Sequence, residues 1–139
     1  MAVGTTSIRS LESLYYLGVH CIEKGEPGIV EQWEPYRDEG YGYSPADAIN
    51  AIIKYLDNNN LTSIASRTNL IIVPSYEFKF VTWMVTNFHQ PKSTLLLLIS
   101  AAVGVGWKQM YAFAMDHGYR FLSYGDSSLL KVHHKFKLS

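Results

Sequence analysis

The sequence predicts an α/β fold in which a mostly parallel sheet is covered by helices. Strand-like and helix-like segments alternate along the chain, an order that supplies helices to cover the faces of a parallel sheet. The longest strand-like run, 80–88, carries apolar residues on both faces, as strands enclosed between helix layers do. We therefore expect the strands that end at Val3, Phe88 and Ser123 to lie in one sheet.

The first third of the chain predicts a strand, a helix and a second short strand. Residues 1–3 resemble the end of a strand, and apolar residues then recur at helical spacing. The helix is expected to weaken at Gly18 and to stop before the turn cluster 24–28. Residues 29–33 are a short strand candidate, and a polar connector follows over 34–43.

The middle of the chain predicts a clearly bounded helix and then three strands. Ser44 suits the N-cap, Pro45 the first helical position and Asp47 the third, so the second helix is expected to begin here. Three β-type runs follow, at 61–66, 70–73 and 80–88.

The last third predicts two helices, a strand and a tail. The expected segments are a helix over 91–103, a helix over 107–117, a strand over 119–123, a turn over 124–126 and a basic tail over 131–139. Gly118 suits the position just after a helix, because glycine readily adopts the left-handed conformation found there.

The composition is that of one ordinary globular domain. The 139 residues are 47% hydrophobic and 17% charged, which is enough to bury one core. The 12 basic and 12 acidic residues balance, whereas a surface that binds nucleic acid usually has an excess of Lys and Arg, because phosphate neutralisation dominates affinity. Contact with nucleic acid would therefore use a local patch or parts of a protein outside this chain.

Cysteine count and hydropathy predict a soluble, cytoplasmic protein with no membrane partner. Cys21 is the sole cysteine, which excludes an internal disulfide framework and fits a reducing compartment. Residues 1–10 lack the apolar core of a signal peptide, and the apolar run 95–105 is too short to span a bilayer.

The first polar cluster follows the opening strand. Gly4, Thr5, Thr6 and Ser7 stand where this strand passes into a helix, and Arg9 lies two residues further on. A helix N-terminus accepts anions because its N–H groups are unpaired and carry about half a positive charge. These side chains could hold a carboxylate or a phosphate; the alternative is that Thr6 or Ser7 only caps the helix.

The second polar cluster again lies between a strand and a helix. Asn87 can donate or accept hydrogen bonds, and His89 can move protons near neutral pH. Lys92, Ser93 and Thr94 fall in the first helical turn, where a cation opposes the helix dipole by about 0.3–1 kcal/mol. A bound anion would explain the placement of Lys92; the alternative is an exposed lysine without a role.

The third polar cluster, Tyr124, Gly125 and Asp126, follows the last predicted strand. A Gly–Asp pair there is usually a turn, although Asp126 could also bind ribose hydroxyls or balance a developing positive charge. His133 and His134 have no Cys or carboxylate at ligand spacing, so no metal site is expected. The sequence also lacks a P-loop and a Gly-rich dinucleotide fingerprint.

Together these clusters resemble the S-adenosylmethionine:tRNA ribosyltransferase-isomerase family of queuosine biosynthesis. The motifs are Gly4-Thr5-Thr6-Ser7-Ile8-Arg9-Ser10-Leu11-Glu12, Thr86-Asn87-Phe88-His89-Gln90-Pro91-Lys92-Ser93-Thr94-Leu95-Leu96 and Tyr119-Arg120-Phe121-Leu122-Ser123-Tyr124-Gly125-Asp126. Their order and spacing match the family, and the second motif is long enough to be highly specific. Gln32-Trp33-Glu34-Pro35-Tyr36 adds weaker support.

The resemblance covers residues 1–130 and implies the C-terminal part of a longer α/β domain, with 131–139 left as a tail. Family members are usually more than twice as long, so an N-terminal segment is an expected partner. Pro74-Ser75-Tyr76 stands where Pro-Gly-Tyr is expected. A glycine at position 75 could adopt a positive φ, which a serine adopts less readily. Ser127-Ser128 stands where Ala-Met is common.

The resemblance implies an enzyme that moves the ribosyl group of S-adenosylmethionine onto 7-aminomethyl-7-deazaguanine at the tRNA wobble position, giving epoxyqueuosine. S-adenosylmethionine is then a substrate, and no cofactor is implied. The chemistry needs a base near the acidified C5′ hydrogens, help for the departure of adenine and a clamp for the methionine carboxylate.

Position in the motifs implies roles for individual residues. His89 and Asp126 are the candidate catalytic residues, His89 as acid or base and Asp126 beside the ribose or the sulfonium. The candidate substrate-binding residues are Thr5, Thr6, Ser7, Arg9, Asn87, Lys92, Ser93, Thr94 and Tyr124.

Three functional hypotheses stay open at the level of the sequence. The first is an enzyme segment, inactive alone, whose partners in the full-length enzyme are tRNA and S-adenosylmethionine. The second is a non-catalytic nucleotide- or tRNA-binding module. The third is a structural subdomain that forms a homo-oligomer through an exposed former interface.

Overall fold

The computed structural model describes residues 1–37, 41–88, 95–120 and 125–133. The chain divides into two compact units. The first unit consists of Met1–Ile8 and Ile72–Ser139, and the second of Arg9–Ile71. The first unit is therefore discontinuous in sequence.

The first unit contains a three-stranded sheet. Its strands are β1 (Ala2–Val3), β2 (Trp83–Asn87) and β3 (Ser127–Lys131), in the order β1-β2-β3. β1 pairs with β2 in parallel, as expected, whereas β3 runs antiparallel to β2. The predicted α/β class is confirmed, but the sheet is mixed rather than mostly parallel.

β3 reaches into the segment predicted as a basic tail. Lys131 is its last residue, and the next residue, Val132, is buried and donates its N–H to the carbonyl oxygen of Thr82 (2.9 Å). β3 begins directly after Asp126 and runs against β2. β3 contains two serines and a lysine among its five residues, so its own sequence favours a strand only weakly. Pairing with β2 stabilises the strand.

The strand register gives the sheet one buried face. Ala2, Met84 and Leu130 lie side by side across the three strands, and all three are buried. Because side chains alternate along a strand, their neighbours in sequence point to the opposite face.

α1 (Thr5–Lys24) runs without a break through Gly18, where the sequence predicts weakness. Gly18 instead allows close contact with α2 (Pro45–Asn58): a Cβ built on this glycine would lie 2.2 Å from the carbonyl oxygen of Ala48. Glycine is therefore required here by the close approach of another backbone.

α2 begins as predicted. Ser44 is the N-cap: its Oγ accepts a hydrogen bond from the N–H of Asp47, and the Asp47 carboxylate accepts one from the N–H of Ser44, both at 3.1 Å. This reciprocal capping box, with Pro45 at the first helical position, fixes where the helix starts.

The strands predicted over 29–33, 61–66 and 70–73 do not form. Among the described residues, Val30 of the first segment forms one isolated parallel bridge, with Thr68, which lies between the other two segments. Leu70 and Ile72 are nevertheless buried. The apolar pattern of these runs therefore indicates that residues are buried. Strand formation also needs a neighbouring segment that pairs over several residues.

Ser75 adopts a φ of +96°, in the region that favours glycine. Ser75 therefore adopts the left-handed backbone conformation that the glycine expected at this position would adopt without strain. Holding a non-glycine residue there costs on the order of 1 kcal/mol or more.

α3 (Leu95–Val103) and α4 (Gly106–Asp116) lie close to their predicted bounds. Gly118, with a φ of +68°, follows α4 as predicted. A core cluster of the first unit joins the end of β2 to both helices through Phe88, Leu96, Tyr111 and Ala114. No single helix in the described part of the chain is both long and apolar enough to cross a membrane; only α3 and α4 together reach that length and composition, and they are bent by 118°.

Parts of two predicted elements lie outside the described residues. They are the start of the helix predicted over 91–103 and the last three residues of the strand predicted over 119–123. Tyr119 and Arg120, which begin that strand in the prediction, are not in a strand.

Candidate functional site

The topology of the sheet brings one described residue of each polar cluster, namely Gly4, Asn87 and Asp126, to the same end. β1 and β2 are parallel and β3 is antiparallel, so β1 and β2 end where β3 begins. At this end, which we call the carboxyl end of the sheet, the N–H of Gly4 donates to the carbonyl oxygen of Val85 (2.8 Å). The N–H of Phe88 donates to the carbonyl oxygen of Asp126 (3.2 Å). Gly4 and Asp126 therefore flank the end of β2, the usual location for ligands in open α/β sheets.

The first polar cluster forms a tight turn into α1. Gly4 has a φ of +86°, which lets the chain turn directly from β1 into the helix. Thr5, Thr6 and Ser7 form the first turn of α1, with Thr6 and Ser7 exposed. The N–H groups of a first helical turn have no partner inside the helix and favour anions.

Arg9 is exposed and belongs to the second unit. Its carbonyl oxygen accepts a hydrogen bond from the Oγ of Ser13 (2.6 Å). A role for its guanidinium beside Thr5, Thr6 and Ser7 stays a prediction.

Asn87 is held by a residue that the sequence analysis missed. The Oγ of Ser127 donates to the Oδ1 of Asn87 (2.7 Å), and the two residues are direct neighbours across β2 and β3. With its oxygen engaged, the half-buried amide keeps N–H donors for an acceptor near the carboxyl end of the sheet. The signal that identifies Ser127 is the strand register, which requires β3 to be known.

Asp126 closes a loop. Its N–H donates to the carbonyl oxygen of Arg120, and its Oδ2 accepts from the N–H of Arg120, both at 2.8 Å. One carboxylate oxygen thus has a structural partner. The predicted catalytic role of Asp126 stays a prediction, and it would depend on the other oxygen.

Five predicted site residues lie outside the described residues: His89, Lys92, Ser93, Thr94 and Tyr124. The predicted convergence of Thr6, His89, Lys92 and Asp126 therefore rests on the two members that are described. Both stand at the carboxyl end of the sheet or one turn from it.

Thr86, next to Asn87, carries a buried hydroxyl that has no hydrogen-bond partner among the described residues. The side chain belongs to the buried face of the sheet, and the residue is 3% exposed. Buried hydroxyls without partners are rare in native folds.

The second unit contains a buried charged cluster that the sequence analysis also missed. His20 and Glu34 form an ion pair with side chains only 7% and 8% exposed. The hydroxyl of Tyr41 and the N–H of Glu31 also donate to the Glu34 carboxylate, each at 3.1 Å. The hydrogen bond to Glu34 raises the pKa of His20 despite its burial. Burial would raise the pKa of Glu34, but the hydrogen bonds from His20 and its other donors outweigh this and lower it.

A separate cavity of about 570 Å³ lies in the second unit between α1 and α2. Its lining includes Cys21, Tyr43, Asp47, Lys54 and Tyr55, and none of the predicted site residues. Burial raises the pKa of the Cys21 thiol. Within the described residues, no group of His, Cys, Asp and Glu has the arrangement of a metal site.

Comparison with known proteins covers nearly the whole chain. A family model described as "Queuosine biosynthesis protein" matches residues 1–130. A protein of Chelativorans sp. (strain BNC1) is 36% identical over 132 residues, which are 94% of this chain and 25% of that protein. One of Phenylobacterium zucineum (strain HLK1) is 37% identical over 131 residues, 94% of this chain and 26% of that protein. Both are named S-adenosylmethionine:tRNA ribosyltransferase-isomerase.

A solved structure gives the same result. The crystal structure of an S-adenosylmethionine tRNA ribosyltransferase from Thermotoga maritima superposes with a TM-score of 0.52 at 29% identity. The match covers 91% of this chain and 31% of that one. The chain thus spans about a quarter of the length of the curated relatives that it matches along nearly its whole length.

Proposed function

Because the chain belongs to the queuosine biosynthesis protein family, we propose that it supplies part of the active site of an S-adenosylmethionine:tRNA ribosyltransferase-isomerase. The observation that carries the proposal is the family match over residues 1–130, which includes all three polar motifs. The meeting of Gly4, Asn87 and Asp126 at the carboxyl end of the sheet supports it. The comparisons favour this enzyme over a non-catalytic binding module or a purely structural subdomain.

The proposed reaction transfers the ribosyl group of S-adenosylmethionine to the aminomethyl group of 7-aminomethyl-7-deazaguanine in tRNA, with isomerisation to epoxyqueuosine. Adenine and methionine are released. S-adenosylmethionine acts as a substrate, no separate cofactor takes part, and the tRNA substrate places the reaction in the cytoplasm. The balanced charge of this chain leaves most of the tRNA contact to other parts of the enzyme.

The first turn of α1 is the proposed clamp for the methionine carboxylate. Thr5, Thr6 and Ser7 offer hydroxyls and backbone N–H groups at a helix N-terminus, where an anion is stabilised. The Asn87 amide, oriented by Ser127, is the proposed donor to a second acceptor on the substrate. Asp126 is proposed beside the ribose or the sulfonium.

The remaining roles come from motif position. His89 is the proposed acid or base, and Lys92 with Ser93 and Thr94 forms the proposed second anion clamp. Tyr124 is a proposed substrate contact. In sequence, His89, Lys92, Ser93 and Thr94 lie between β2 and α3, and Tyr124 lies two residues before Asp126.

A chimera tests the proposed function. In it, this chain replaces the matched part of the Phenylobacterium zucineum relative, and the products formed from S-adenosylmethionine and precursor tRNA are identified by mass spectrometry. We expect epoxyqueuosine from the chimera and none from the isolated chain, because turnover needs a site closed around a large substrate. A folded chimera without product would contradict the proposal.

Lys92→Ala in the same chimera should weaken S-adenosylmethionine binding far more than it weakens folding. Loss of a charge-assisted hydrogen bond costs about 1.5–3 kcal/mol, or roughly one to two decades in affinity. The sequence predicts Lys92 in a first helical turn, where a lysine slightly opposes the helix dipole, so its removal should leave the melting temperature unchanged or marginally higher. Lys92→Arg should restore only part of the affinity, since a planar fork does not replace a compact ammonium.

Calorimetric binding and thermal unfolding on the same preparations check this prediction. Lys108→Ala, at an exposed lysine early in α4, is the matched control. Normal binding by Lys92→Ala together with a melting temperature several degrees lower would identify Lys92 as a structural residue instead.

A further inference from the structure

One face of the three-stranded sheet is apolar and exposed. Val3, Val85 and Leu129 lie side by side across the strands, and Trp83 stands two residues from Val85 on the same face. Val3 is 63% exposed, Leu129 60% and Trp83 40%, and Val85 between them is half-buried. We call this set of four residues the open face.

The open face contrasts with the other side of the sheet. There the residues alternating with it, Ala2, Met84 and Leu130, are at most 6% exposed. A parallel strand pair such as β1–β2 is normally covered on both faces, and a contiguous exposed apolar surface marks a site of interaction. The amino group of Lys131 lies 5.8 Å from the ring centre of Trp83, which shields only one edge of the face.

We propose that the remaining portion of a family-length chain covers the open face and, in doing so, completes the candidate site. The relatives are about four times as long as their match to this chain, and the solved structure about three times, so most of each protein lies outside the matched segment. In the relatives, that portion is covalently linked to the matched segment, so its effective concentration at this surface is high.

The open face continues into the candidate site. Asn87 and Ser127 belong to the same face, one alternation beyond Val85 and Leu129, at the carboxyl end of the sheet. A segment packed over the apolar row therefore ends beside the oriented Asn87 amide, and its polar groups would reach the substrate that this amide binds. This last step rests on the proposed function; the covering of the open face does not.

Thiol labelling measures the covering directly. Cys21→Ser removes the native thiol, and Leu129→Cys then places a probe at the centre of the open face. Phe113→Cys, on α4 and 53% exposed, is the matched control for a large exposed side chain elsewhere in the same unit. Each variant is labelled with a maleimide, both in the isolated chain and in the chimera with the Phenylobacterium zucineum relative, and labelled peptides are quantified by mass spectrometry.

We expect Leu129→Cys to react about tenfold or more slowly in the chimera than in the isolated chain, while Phe113→Cys reacts at equal rates in both. Equal rates for Leu129→Cys in both proteins would overturn the proposal. Protection that already exists in the isolated chain and rises with its concentration would also overturn it, since a second copy would then be the occupant. Val3→Cys, on the edge strand, repeats the measurement should Leu129→Cys fail to fold.

The assay for epoxyqueuosine distinguishes the proposed function from the proposed covering of the open face. A chimera that protects Leu129→Cys but forms no epoxyqueuosine would contradict the proposed function and leave the covering of the open face standing. A chimera that forms product while Leu129→Cys stays fully reactive would overturn the covering alone.

Discussion

His20 lies between two hydrogen-bond acceptors, and this decides its protonation. Its Nδ1 faces the carbonyl oxygen of Pro27 (2.6 Å) and its Nε2 faces the Glu34 carboxylate. While Glu34 is ionised, neither acceptor can donate, so this geometry favours a proton on each ring nitrogen, that is, an imidazolium at pH values below the raised pKa of His20. The raised pKa of His20, caused first by the hydrogen bond to Glu34 and opposed by burial and by Lys24, agrees with this geometry.

The stability that His20 and Glu34 contribute depends on pH in opposite directions. A raised pKa of His20 contributes stability that is complete below its ordinary 6.5 and is lost as pH rises through the folded-state value. A lowered pKa of Glu34 contributes stability that is complete above 4.5 and is lost as pH falls through the folded-state value. The pair therefore stabilises the second unit fully between these two values.

His20→Gln should remove this stabilisation, at a cost of about 3 kcal/mol near pH 6, because a buried carboxylate loses its charged partner. The difference in unfolding free energy between wild type and variant should shrink as pH rises through the raised pKa of His20. Denaturant unfolding at a series of pH values measures it, with His117→Gln as the exposed control. Parallel curves for wild type and His20→Gln would refute the imidazolium.

Ser75→Gly should stabilise the protein, against the usual effect of introducing glycine. The left-handed φ at Ser75 strains a residue with a Cβ, and glycine removes that strain. The greater freedom of glycine in the unfolded chain offsets part of the gain, so we expect about 0.5–1 kcal/mol. Urea unfolding is the measurement, and Ser66→Gly, at a position without positive φ, is the control that should destabilise.

At the scale of elements, local signals located the helices well. Ser44, Pro45 and Asp47 stand within four residues, so the start of α2 could be predicted from sequence alone, and Gly118 likewise marked the end of α4. The strands were predicted less well because their partners are distant in sequence. β3 pairs with residues some forty positions away, and the apolar runs in 29–73 form only a short stretch of backbone hydrogen bonds, between residues 30–32 and 67–71.

Asp47→Ala should destabilise α2 by about 1 kcal/mol. The substitution removes one half of the capping box and the acidic residue of the first turn, where a negative charge complements the helix dipole. Asp57→Ala, in the last turn of the same helix, is the matched control and should be neutral or slightly stabilising. Equal losses of unfolding free energy in the two variants would show that capping does not govern this helix.

Gly18→Ala should destabilise the contact between α1 and α2 although alanine favours helix by about 1 kcal/mol over glycine. The new methyl group would meet the carbonyl oxygen of Ala48 at 2.2 Å, and backbone cannot yield as a flexible side chain does. We expect a net loss of about 1–3 kcal/mol. Gly106→Ala, in α4 with open space around its Cβ position, is the control and should cost little. Equal stability of the two variants would contradict the close approach.

At the scale of the whole molecule, the sequence predicted that each polar cluster follows a strand, but it did not predict how the side chains of the clusters are arranged. The parallel pairing of β1 and β2 was predictable from the alternation of strand-like and helix-like segments along the chain. The reversal of β3 and the bond between Ser127 and Asn87 depend on a register that no local pattern encodes. The same holds for His20 and Glu34, which are fourteen residues apart and carry no spacing motif.

The insertion of the second unit between β1 and β2 has a consequence for how the protein folds. β1 must find a partner about eighty residues away, and β3 joins the sheet only after the further forty or so residues that separate it from β2. Closing such long loops before any contact is gained slows folding, because contact order is high. The second unit is continuous in sequence and contains a capped helix, so it can acquire structure on the ribosome before the partner strand of β1 has been synthesised. During that interval β1 is exposed to chaperones and to neighbouring nascent chains.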